Sequence, residues 1–175
     1  MIKSSVTLAV FAAATAFAAA PTVTLTGKAQ SCHPGLPIRL VGVSGVEVSA
    51  FRVTRVPALM AYLNAFDSTG RSSAVTTEAL MMRLDTLSTK ADSVAKRSKV
   101  LARAVSDSLG NFNLRIPLTD SVLIYAAWDD EDDTFTQAHM TMSGRTSRAF
   151  VLDMDHGGCT PHRAASGGVL ATIGL

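Results

Sequence analysis

The stretch SDSLGNFNLRIP, residues 106–117, decides the fold. Asp107 suits the first position of a tight turn and Gly110 its last. Beyond the turn, Phe112, Leu114 and Ile116 fall on one face of a strand and Asn113 and Arg115 on the other. Similar apolar runs recur on both sides of it. Upstream, TVTLTGKAQ (22–30) sets Val23, Leu25 and Gly27 against threonines, and IRLVGV (38–43) is a second run. VEVSAFRV (46–53) places Val46, Val48, Ala50 and Arg52 on one face and Glu47, Ser49, Phe51 and Val53 on the other. Apolar residues on both faces predict a strand covered on both sides. Downstream come SVLIYAAW (121–128), TFTQAHMTM (134–142) and RAFVLDM (148–154). Short strands with turn signals between them predict a seven-stranded β-sandwich.

Between the third and fourth strands the period changes. PALMAYLNAF (57–66) spaces Leu59, Leu63 and Phe66 by four and three, with Pro57 in the first turn of a helix. DSTGRSS (67–73) breaks it. From Thr76 to Ala104, the series Leu80, Leu84, Leu87, Ala91, Val94, Ser98, Leu101 and Val105 keeps one seam along a second, long helix. Thr76 or Thr77 caps its start, and Glu78 lies in the first turn. Lys96, Arg97, Lys99 and Arg103 crowd its end, where the helix dipole favours cations; the same cluster offers contact with acidic polymers or lipid headgroups. The expected architecture is mainly β, with a helical hairpin at 57–104 inserted between strands.

Residues 1–20 carry the marks of an export signal. Lys3 supplies the positive start, VTLAVFAAATAF (6–17) the apolar centre, and Ala16 and Ala18 the small residues around a cleavage point. This predicts a secreted or periplasmic protein with its domain over 21–160. The glycine-rich end, 161–175, lacks periodicity and is expected to form a loose tail. Hydrophobic residues are 47% of the chain and charged residues 17%, enough apolar material for a packed core. A formal net charge of +2 is too mild to argue for nucleic acid, and no later stretch is apolar enough for a membrane helix.

Two stretches resemble one family. GVEVSAF, with Gly45, Val46 and Val48, and SDSLGNFNLRIP, with Asp107, Gly110 and Phe112, are similar to the carboxypeptidase regulatory-like domain. Its pattern is a Gly before a Val-x-Val strand, then an Asp-x-x-Gly-x-Phe turn and strand. The resemblance implies a transthyretin-like β-sandwich in an exported setting. It does not imply peptidase activity, because that domain is an appendage to a separate catalytic one. The long helical segment between the two motifs departs from the family's short connection.

The residue types that carry chemistry are few. Cys32 and Cys159 follow the first and last strands, and in an oxidising compartment two cysteines most simply form one disulfide. A bridge closing so long a loop contributes about 4–5 kcal/mol in the chain-entropy picture. The alternative is a metal site built with His33, His156 and His162, although the adjacency of Cys32 and His33 suits it poorly. DDEDD (129–133) offers Asp129, Asp130, Asp132 and Asp133 to a cation, but without the spacing of a calcium loop, and a solvated hairpin tip explains it better. His139 is a lone strand histidine with no base or nucleophile beside it in sequence. There is no Gly-x-Ser-x-Gly elbow, no His-Glu-x-x-His and no phosphate-binding loop. These readings converge on an exported, non-catalytic binding or structural module, without a cofactor and with an unknown protein or envelope partner; the hairpin offers that partner a docking face, although its seam packs more simply against the short helix or the sheet. Metal binding through the Cys/His set and self-association through the long helix are the alternatives.

Overall fold

Alternation in the sequence becomes alternation in burial. In the computed structural model, which describes residues 20–33, 39–71, 78–129, 135–154 and 171–174, Val23, Leu25, Gly27 and Ala29 are buried while Thr22, Thr24, Thr26 and Lys28 face solvent. They belong to β1 (Thr22–His33), the central strand of the first sheet. On one side β1 pairs antiparallel with β5 (Asn111–Pro117). Near its end β1 also pairs antiparallel with β2 (Arg39–Gly42), and on the side away from β5 it pairs parallel with β8 (Arg148–Asp153), so Gln30 lies between Gly42 and Asp153. Gly27 lies opposite both Phe112 and Phe150 in register, and those rings meet edge to face at 5.5 Å. Any Cβ on Gly27 would run into the Phe112 ring, so the glycine makes room for the aromatic.

The second sheet is antiparallel throughout. It runs in the order β4 (Ala102–Val105), β3 (Glu47–Arg52), β6 (Thr119–Asp129) and β7 (Phe135–Gly144), with β9 (Ala171–Gly174) on the far edge of β7. Both sheets contribute to one core: Leu25, Leu114, Ile116 and Leu152 from the first meet Val48, Val122, Ile124 and Met142 from the second. The opposite face of the second sheet presents Phe51, Leu123 and Tyr125 to the helices. Strands β3 and β6 are therefore covered on both sides, as their unbroken apolar content requires.

Helix α1 (Pro57–Arg71) buries Leu59, Leu63 and Phe66, and α2 (Glu78–Arg97) buries Leu84, Ser88, Ala91 and Ala95. The hairpin thus packs on its own sheet. No helix among the described residues is long and apolar enough to cross a membrane.

The boundaries depart from the sequence expectation in four places. Cys32 and His33 continue β1 opposite Leu40 and Arg39 rather than entering a loop. Helix α1 runs on through Asp67–Gly70, where the Ser68 hydroxyl donates back to the Ala65 carbonyl at 3.0 Å instead of breaking the helix. Helix α2 stops at Arg97, seven residues short of Ala104, where Ser98 turns back on Val94 and Ala95. Leu101 and Val105 consequently leave the helical seam, and Ala102–Val105 pairs with β3. With β9, which lies in the stretch expected to be a loose tail, this makes nine strands among the described residues where seven were expected. Residues 1–19, with most of the expected signal, lie outside the described residues.

The turns around β4 are held by side chains. The Ser106 hydroxyl donates to the Val43 carbonyl at 2.6 Å and accepts from the Val46 amide at 2.9 Å. Asp107 begins the expected turn: its carboxylate accepts from the amides of Leu109 and Asn111 at 2.9 and 2.8 Å. The Asn111 amide, only partly opposed by desolvation and helped by that of Leu109, holds the Asp107 carboxyl below its usual range. A lowered folded-state pKa adds stability above the unfolded value that is lost as pH falls through the folded one. Gly110 closes the turn at φ 81° and Gly45 turns into β3 at φ 79°.

These two glycines predict unequal penalties. A Cβ at Gly45 meets nothing, so Gly45→Ala carries only the left-handed backbone cost of about 1–2 kcal/mol. A Cβ at Gly110 runs into the Ala29 carbonyl, which adds about 1–3 kcal/mol of overpacking. Urea unfolding of both variants checks this, and equal losses would contradict the packing at Gly110. In the same series the stability gap between wild type and Asp107→Asn is expected to narrow as the solution is acidified.

Candidate functional site

Where α2 overhangs the outer face of the second sheet, the apolar contact gives way to a polar cleft of about 420 Å³. The strands supply Glu47 and Ser49 from β3, Arg103 from β4, and Tyr125 and Trp128 from β6; α2 supplies Asp92 and Lys96. Register explains the grouping, since Ser49 lies opposite both Arg103 and Tyr125. A single helix cannot cover a whole sheet face, and α2's last turns leave this corner partly open.

Charge in the cleft is balanced. Lys96 Nζ lies 2.8 Å from Asp92 Oδ2, one helical turn away, and Arg103 Nε lies 3.6 Å from Glu47 Oε1 across the two strands. Lys96, Arg103 and Glu47 are at least half exposed, so each pair adds at most about 1 kcal/mol and is easily rearranged by a ligand. Trp128, the only tryptophan of the chain, is half-buried at the rim.

From Asp92 a polar line runs inward. The buried Tyr125 hydroxyl lies 3.4 Å from Asp92 Oδ1 and 3.2 Å from Gln137 Oε1. Next to Gln137 on the same face of β7 stands His139, in register with Tyr125, its Nε2 3.3 Å from Asp67 Oδ2 of α1. Both partners are nearly buried, at 7% and 12% side-chain exposure, so this contact anchors α1 to β7 in a place where solvent screens little. Among the described residues, Asp67 Oδ1, Gln137 Nε2 and His139 Nδ1 have no hydrogen-bond partner. His139 thus has an orienting carboxylate but, among the described residues, no hydroxyl or thiol nucleophile bonded to it.

The sequence treats His139 as lone; its partner comes from a segment expected to break a helix. One signal was available. Gln137 and His139 share a face in TFTQAHMTM, and Asp67 directly follows Leu59, Leu63 and Phe66 on the packed side of α1.

The other sequence candidates fall differently. Gly45, Val46, Asp107 and Gly110 come together at the β4 end of the molecule, joined through Ser106, while Val48 and Phe112 enter the core. Cys32 and His33 sit at the end of β1, and Asp129 ends β6 opposite Phe135. Cys159, His156, His162, Asp130, Asp132 and Asp133 lie outside the described residues, and with them the expected disulfide and acidic cation site. Among the described residues no three His, Cys, Asp or Glu side chains gather as a metal site. No protein-family model matches the chain, and no curated protein matches it.

Tyr125→Phe should cost about 1–3 kcal/mol, because Gln137 loses its partner inside the fold. Adding Gln137→Leu should recover part of that loss, since an unpaired buried amide is worse than an apolar side chain. Urea unfolding of the single and double variants reads both steps; a silent Tyr125→Phe would mean that the hydroxyl carries no bond.

Proposed function

We propose that this protein is an exported, non-catalytic binding module of the carboxypeptidase regulatory-like type, a transthyretin-like sandwich that takes a small polar ligand in the cleft beneath α2. The observation that carries the reading is the cleft itself. It sets a tryptophan, a tyrosine and two loosely held ion pairs around one concavity, and a ligand bearing both charges would exchange partners with those pairs. The spatial meeting of the Gly45–Val46 and Asp107–Gly110 stretches, and two sheets closing on a shared core, support the family reading. The burial of α2's seam against its own sheet favours this reading over self-association through the helix. In this reading a bridge between Cys32 and Cys159 clasps the end of β1 to the chain beyond β8.

Trp128 reports on the cleft. Adding a dialysable extract of the native envelope fraction should shift its emission saturably, and Lys96→Ala with Arg103→Ala should abolish the shift. An unchanged emission would count against the cleft as the binding surface. A thiol titration of the unreduced protein should find no reactive thiol; two free thiols accompanied by bound metal would replace the clasp with the metal reading.

A further inference from the structure

The helical insertion leaves the second sheet at Arg52, through a 3₁₀ turn at Val53–Arg55, and returns through Lys99, Val100 and Leu101. The Leu101 amide donates to the Ala50 carbonyl at 2.7 Å, which draws the two connections side by side. Between them lies a notch of about 480 Å³ lined by Arg52, Arg55, Lys99, Val100 and Leu101. Three of the five are cations, two are half-buried apolar residues, and no carboxylate is among them.

Neighbouring cations are accounted for. Lys96 is paired with Asp92, Arg103 with Glu47 and Arg145 with Asp120, and the Arg97 guanidinium is bonded to Ser93. Arg52, Arg55 and Lys99 have no ion-pair partner among the described residues. The helix dipole accounts for basic residues in α2's last turn. It does not account for Arg52 and Arg55, which reach the notch from the outgoing connection. Like charges gathered on a concave surface focus a positive potential there, which a bound anion would relieve.

We propose that this notch binds a phosphate group, with any organic stem resting on Val100 and Leu101. The planar forks of two arginines match phosphate oxygens, and the lysine adds a point charge. The site shares no lining residue with the cleft beneath α2, so it stands whether or not that cleft binds a ligand.

The test is calorimetric titration of the full chain with inorganic phosphate and with phosphatidylcholine vesicles lacking or containing phosphatidic acid. Arg55 and Lys99 are exposed, so the Arg55→Ala, Lys99→Ala double variant should keep its fold, checked by its melting curve in the absence of phosphate. Removing two charges from the notch should weaken binding at least about tenfold, a loss of about 1.4 kcal/mol. The charge-matched control, Lys28→Ala with Arg148→Ala on the first sheet, should bind as wild type. Saturable binding of inorganic phosphate identifies the free anion as sufficient; binding only to phosphatidic acid vesicles identifies a lipid headgroup. Binding to neither probe, or equal weakening in the double variant and its control, overturns the proposal.

Discussion

The fold depends on how firmly β4 is clamped against β3. A chain that leaves a sheet for two helices must come back in register, or every following strand shifts by a residue and turns its face. Here the return is fixed at both ends. Leu101 bonds to Ala50 as the chain arrives, and Ser106 bonds to Val43 and Val46 as it departs. The Asp107–Gly110 turn then passes the chain to the other sheet, with the Gly110 carbonyl accepting from the Ala29 amide at 2.8 Å. One short strand therefore sets the sheet register, the seating of the hairpin and the join between the layers.

Both the cleft and the basic notch follow from that clamp. The cleft exists because Arg103 of β4 and Glu47 of β3 stand diagonally beneath the end of α2, where the helix no longer meets an apolar face. The basic notch exists because the two connections of the hairpin are pulled to one point. The first surface is neutral through internal pairing, and the second keeps its charge. They suit different chemistry although they are built from adjoining pieces of chain.

Much of this was legible in the sequence, and the failures have physical causes. The strands with clear alternation, such as Phe112–Leu114–Ile116, lie where the period places them. The helical insertion was legible from the change of period at Pro57. The end of α2 was not, because Leu101 and Val105 happen to continue a helical spacing, while the backbone bond from Leu101 to Ala50 is a long-range event that no local pattern carries. Val105 is in fact 63% exposed. The polar line under the helices was missed for a related reason. Tyr125, Gln137, His139 and Asp67 come from three elements, and each looks unremarkable until the hairpin folds over the sheet.

The hairpin enters and leaves at neighbouring points of two antiparallel strands, which is the geometry a tight turn would also satisfy. Topologically it is an appendix: cutting it out would leave the strand order, the shared core and the Ser106 clamp untouched. Energetically it is a lid. Phe51, Leu123 and Tyr125 form the outer face of β3 and β6, and without α1 and α2 that face would be bare apolar surface beside an exposed edge strand. The insertion is thus separable as a piece of connectivity and indispensable as a surface, and the cleft and the notch lie along the seam where those descriptions meet.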